Sequence, residues 1–199
     1  GTIAGTNYVG GMVGDNAENS QLTDLVNDSS ASITGEQYVG GIAGSNAGTI
    51  SATDTNLINR GSITGQQYVG GVAGENWGTI ENTNNNVSLN VKDSNATDDD
   101  AAIYFGGVTG WNHEDAIIGN ATNRADVTAE GASYVGGVAG KNDGTLTGFN
   151  GNYGNVIGAT NVGGVIGENT TDIEGVEAVN NGTVTATAGG AGGIFGVHT

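Results

Sequence analysis

Tyr38-Val39-Gly40-Gly41-Ile42-Ala43-Gly44-Ser45-Asn46 returns as Tyr68-Val69-Gly70-Gly71-Val72-Ala73-Gly74-Glu75-Asn76. It returns again as Tyr134-Val135-Gly136-Gly137-Val138-Ala139-Gly140-Lys141-Asn142. Looser copies begin at Tyr8, Tyr104, Asn161 and Gly190. The first glycine of each pair is Gly10, Gly40, Gly70, Gly106, Gly136, Gly163 or Gly192, in steps of 30, 30, 36, 30, 27 and 29 residues. Self-similarity at such a period decides the fold class ahead of any local reading.

Outward from this motif, each unit holds two further apolar pieces. One is Gly48-Thr49-Ile50, Gly78-Thr79-Ile80 or Gly144-Thr145-Leu146, with Asp172-Ile173 a weaker copy. The other is a β-branched stretch after an Asn-rich corner, as in Asn59-Arg60-Gly61-Ser62-Ile63-Thr64-Gly65 and Asn123-Arg124-Ala125-Asp126-Val127-Thr128. Gly1-Thr2-Ile3-Ala4-Gly5 matches this last piece, which predicts a segment of a longer array. The pieces are too short and too rich in Gly and β-branched residues for helices. Asn, Asp, Ser and Gly bound them, which is turn chemistry.

Three strands and three corners in about 30 residues describe one coil of a parallel β-solenoid. A propeller blade needs four strands and about 40–50 residues, and an antiparallel sandwich has no need of one motif seven times. The expectation is therefore an all-β solenoid of about six to seven coils with three short strands each. It forms a single domain over residues 1–199, with an inserted loop within 81–101. Stacked coils place identical side chains in columns. Val9, Val39, Val69, Phe105, Val135, Val162 and Ala191 form one column; Met12, Ile42, Val72, Val108, Val138, Val165 and Ile194 form another. Members of one repeat are three residues apart, so a bend at the glycine pair must return both to one continuous core. The bend predicts glycines stacked too closely for a Cβ.

Among 199 residues, Arg60, Lys92, Arg124 and Lys141 are the only cations, and the formal charge is −17. Such a surface repels nucleic acid and anionic membranes. There are 39 Gly, no Pro and no Cys, so disulfides and thiolate chemistry are excluded. No apolar run approaches the roughly 20 residues that span a bilayer, and no membrane insertion is expected.

The pattern Tyr-Val-Gly-Gly-(Val/Ile)-Ala-Gly-x-Asn, then Gly-Thr-Ile, then Asn-x-Gly-x-(Ile/Val)-x-Gly resembles the GLUG repeat. Repeats of this family occur in large secreted and surface-anchored bacterial proteins. They include filamentous-haemagglutinin-like adhesins and the non-catalytic regions of immunoglobulin-cleaving metallopeptidases. The resemblance is close in the units at Tyr38, Tyr68 and Tyr134. It fades in the last copy, which lacks the Tyr and carries His198 in place of Asn. It implies an extracellular stalk or adhesive surface and carries no catalytic residues.

Tyr8, Tyr38, Tyr68, Tyr104 and Tyr134 form an aromatic column that either covers the sheet or stacks on sugar rings. Asn16, Asn46, Asn76, Asn112, Asn142 and Asn169 form a second column, suited to corners and to amide bonds between coils. The insertion carries Asp93, Asp98, Asp99 and Asp100. Carboxylates are Ca²⁺ ligands, but the spacing lacks an EF-hand pattern, so a solvated loop tip is expected and no cofactor. His113 and His198 have no partners at metal-ligand spacing. Trp77 and Trp111 lie in adjacent repeats and are read as a possible exposed aromatic pair. No Ser/His/Asp set or carboxylate pair at glycosidase separation can be placed.

The expected function is a structural or adhesive segment of a secreted bacterial surface protein, without catalysis. One alternative is a filament subunit built by head-to-tail stacking, with Ile3, Met12, Ile194 and Phe195 in the self-association contact. A further alternative is a substrate-presenting accessory module of a secreted peptidase. Expected partners are further copies or coils of the array, or a surface protein or glycan of a host or neighbouring cell.

Overall fold

The computed structural model describes residues 1–53, 57–91 and 103–199. Every strand pairing is parallel, and no helix is present among the described residues. The first coil contains β1 (Thr2–Ala4), β2 (Asn7–Gly10), β3 (Val13–Asn16), β4 (Gln21–Thr23) and β5 (Val26–Asn27). Later coils repeat these strands, so five parallel ladders run along the axis, the β4 ladder ending with the fifth coil and the β5 ladder with the sixth; each is named here by its strand in the first coil. The chain is thus a β-solenoid of about six turns with about 30 residues per turn.

Five ladders replace the three strands per coil expected from the sequence, for two physical reasons. The nine-residue motif is broken by a bend at Gly41-Ile42, so Gln37–Gly40 joins the β2 ladder and Ala43–Asn46 the β3 ladder. The Asn-rich corner is itself extended and pairs coil to coil as the β5 ladder. The weak copy at Asp172-Ile173 forms no strand, yet Ile173 packs against the same apolar column as its equivalents.

Both apolar columns point inward, but they do not share one core. Val39, Val69, Phe105, Val135 and Val162 pack with Ile33, Ile63, Leu89, Val127 and Val156 of the β1 ladder. Ile42, Val72, Val108, Val138 and Val165 pack instead with Ile50, Ile80, Ile118 and Leu146 of the β4 ladder. Between the two clusters lie the glycine pairs and, opposite them, the buried amides of the β5 ladder. The second glycine of a pair has no side chain, and an amide takes that space. A Cβ on Gly41 would sit 2.5 Å from Asn59 Cγ and 2.2 Å from the carbonyl oxygen of Gly71 in the next coil.

The insertion is shorter than its expected limits. Thr83–Asn85 and Leu89–Val91 are in register with Leu57–Asn59 and with Ile63–Gly65, so residues 81–91 belong to the regular coil. The surplus falls between Val91 and Ile103. Asp93, Asp98, Asp99 and Asp100 lie outside the described residues.

Candidate functional site

The interior is polar along two lines. In the β3 ladder, Asn16 Nδ2 donates to Asn46 Oδ1 at 2.7 Å, and the chain continues through Asn76, Asn112, Asn142 and Asn169 at 2.7–2.8 Å. It ends on His198, whose Nδ1 lies 3.0 Å from Asn169 Nδ2. In the β5 ladder, Asn27, Asn59, Asn85, Asn123, Asn152 and Asn180 form a parallel chain at 2.8–3.1 Å. Beyond the first coil the amides also close their own corners, as when Asn152 Nδ2 donates to the Gly154 carbonyl at 2.7 Å. Burial without partners would cost each amide about 1–3 kcal/mol, and the ladders remove that penalty. The first chain coincides with the column read from the sequence. The second was hidden because neighbouring asparagines blur the repeat at Asn84-Asn85-Asn86 and Asn180-Asn181.

Outside the β2 ladder, Tyr8, Tyr38 and Tyr68 stack with centroids 4.8 and 4.7 Å apart and planes within 10°. Their backbones take φ of 54°, 54° and 53°, the left-handed region. In the sixth coil Asn161 takes this place at φ 48°. Among residues with a side chain, Asn is one of those that tolerate this region best, so the substitution keeps the backbone while losing the ring. Beyond Tyr68 the stack tilts: Tyr104 lies 5.4 Å away at 52°, and Trp111 packs against both rings. Burial pushes the Tyr104 hydroxyl well above its ordinary pKa, with Tyr68 and Tyr134 adding to the shift. Burial raises Tyr68 and Tyr38 too, with Glu75 the next cause for each.

The β3 face gathers the remaining chemistry in the third to sixth coils. His113 follows Asn112 as Trp77 follows Asn76, so the coil register sets them one above the other. Their rings stack at 3.5 Å and 10°. Trp111 packs on the same imidazole at 3.8 Å. His113 Nε2 lies 3.0 Å from Glu75 Oε2, and both residues are buried. The sequence reading left His113 without a partner; its carboxylate comes from the preceding coil. On the other flank, Trp111 Nε1 donates to Asp143 Oδ2 at 2.7 Å and Thr170 Oγ1 donates to Asp143 Oδ1 at 2.6 Å. Lys141 Nζ is 3.2 Å from Asp143 and 3.8 Å from Glu168, and it also lies over the Trp111 ring. Trp77, Trp111, His113 and Asp143, with Glu114, Thr170 and Thr171, line a pocket of about 550 Å³.

Trp77 and Trp111 are thus brought together around His113, with Trp77 more than half exposed. Ile3, Ile194 and Phe195 occupy the terminal rungs and are half-buried, while Met12 is exposed. Their equivalents in the middle of the array, such as Ile33 and Ile42, are fully buried by the coils on either side. Among the described residues no three His, Cys, Asp or Glu side chains converge to hold a metal ion, and no helix is long and apolar enough to cross a membrane.

Comparison with protein-family models, with curated proteins and with solved structures finds no match. The resemblance to the GLUG repeat rests on the residues quoted above.

Proposed function

We propose that the chain is a non-catalytic, adhesive repeat segment of a secreted bacterial surface protein. The solenoid sets the reach of the segment, and its β3 face supplies the contact. The observation that carries this reading is the unequal distribution of chemistry around the coil. The interior amides bond to one another in two ladders, while Trp77, Trp111, His113 and the Lys141, Asp143 and Glu168 charges collect on the β3 face. A rigid scaffold with one aromatic-rich face is the arrangement of a binding surface, where amphipathic rings supply most of the contact. The acidic, Cys-free composition suits a solvent-exposed extracellular segment.

Beads coated with the purified chain test the reading. Retention on bacterial or host cell surfaces, above beads coated with an unrelated acidic protein, is the expected result. Retention no greater than that control contradicts it.

A further inference from the structure

We propose that the pocket beside Trp77 and Trp111 binds a neutral glycan, with a pyranose ring on the aromatic wall and sugar hydroxyls on the polar rim. The proposal rests on the adhesive reading and names the ligand class for the same face. Three observations carry it.

The first is the state of Trp77. One face of its indole is covered by His113 at 3.5 Å. Its other face looks toward Ala47 in the preceding coil, and the indole borders the pocket with the part that His113 leaves uncovered. Trp77 is 53 % exposed. A ring needed only to seal the Glu75–His113 pair has no reason to stand so far into solvent. His113, itself held by Glu75 and Trp111, backs one face of the indole before any ligand arrives.

The second is the lining. Trp77, Trp111 and His113 form the aromatic side of the pocket; Glu114, Asp143, Thr170 and Thr171 form the polar side. Its volume of about 550 Å³ lies in the range of small-ligand sites, about 300–1,000 Å³. An apolar wall facing a rim of carboxylates and hydroxyls matches a molecule with C–H groups on one face and hydroxyls at its edge.

The third is charge. Asp143 is already matched by Lys141, Trp111 and Thr170, and Lys141 is shared with Glu168. The pocket therefore has no spare cation for a sialylated or sulfated sugar, and the net charge of −17 opposes one. A neutral polyol needs no counter-charge, and the exposed Glu114 carboxylate can accept its hydroxyls.

The test is tryptophan fluorescence titration of the full chain with neutral tetrasaccharides of β-linked glucose, β-linked N-acetylglucosamine and α-linked mannose. Sialyllactose and an aromatic tetrapeptide are the comparison ligands. Saturable binding of at least one neutral sugar to millimolar concentration or below is expected. Trp77→Ala should weaken it at least tenfold, and Tyr153→Ala, remote from the pocket, should leave it unchanged. Glu114→Gln, an exposed position, should weaken binding while melting like the parent, which keeps the test sound if Trp77→Ala unfolds. Absence of saturable binding by every neutral sugar overturns the proposal. Preference for sialyllactose or the peptide overturns it, as does binding that survives both pocket variants. Bead adhesion without sugar binding would sink the glycan proposal and leave the adhesive reading standing.

Discussion

Gly71 and Asn85 face each other across the inside of the third coil: a Cβ on Gly71 would lie 2.4 Å from Asn85 Cγ. It would also lie 2.2 Å from the carbonyl oxygen of Gly107 in the coil above. The same contact recurs between Gly41 and Asn59, between Gly107 and Asn123, and between Gly137 and Asn152. The missing side chain of the motif and the buried amide of the opposite corner are one packing unit. That unit divides the apolar interior in two.

Gly71→Ala therefore destabilises the fold by more than the about 1–3 kcal/mol of ordinary overpacking, because the obstacles include backbone. Gly193 holds the same motif position in the last coil, and a Cβ there meets nothing within 4 Å. Gly193→Ala should melt within about 0.5 kcal/mol of the parent, as open surface changes do. Thermal or urea unfolding of the two variants decides it. Equal stability would show that the glycine pair is not a steric requirement.

Asn76→Asp tests the amide ladder. Asn76 accepts from Asn46 at 2.7 Å and donates to Asn112 at 2.8 Å. An aspartate keeps the first bond but sets a carboxylate against the Asn112 oxygen, and burial raises its pKa. A raised folded-state pKa means that the folded form binds the extra proton. Its contribution is full below the unfolded value of about 3.9 and is lost as pH rises through the folded value. Relative to the parent, the variant should be closest in stability near pH 3 and furthest at pH 7. A difference from the parent that is flat across this range would contradict the ladder.

The tyrosine stripe gives an alkaline signature. The hydroxyls of Tyr104, Tyr68 and Tyr38 are all shifted upward by burial. Stability from their protonated forms is present below the unfolded value of about 10 and declines as pH rises through the folded values. Spectrophotometric titration should show phenolate forming late in the folded chain, together with unfolding above about pH 10. Ionisation of every tyrosine at the model-peptide value, with the fold intact, would contradict the packing of the stripe.

The period, the inward columns and the steric role of the glycines were legible in the sequence because backbone crowding admits no other residue at Gly40 or Gly71. The division of the core was not, since it depends on which residue stands opposite the glycine pair across the coil. Asn59 and Asn85 lie beside other polar residues that mask their period. The Trp77–His113 stack was also hidden. The longer repeat puts 36 residues between them, and only alignment on Asn76 and Asn112 shows that they share a column. Glu75 becomes the partner of His113 through stacking of coils, which no local spacing encodes.

The binding face exists only if the coils stack in parallel and in register. Thr34 and Thr64 are Cα partners in adjacent rungs of the β1 ladder, and Thr128 lies two rungs beyond Thr64, opposite Asn90. The chain has no cysteine, so Thr34→Cys/Thr64→Cys introduces a single pair. Adjacent rungs lie about 4.8 Å apart, within disulfide reach, whereas Thr34 and Thr128 are separated by about 14 Å. Mass spectrometry after mild oxidation of the folded monomer reads the outcome. The account predicts an intramolecular disulfide in Thr34→Cys/Thr64→Cys and none in Thr34→Cys/Thr128→Cys. Cross-linking of the second pair, or failure of the first, would contradict the solenoid and its register.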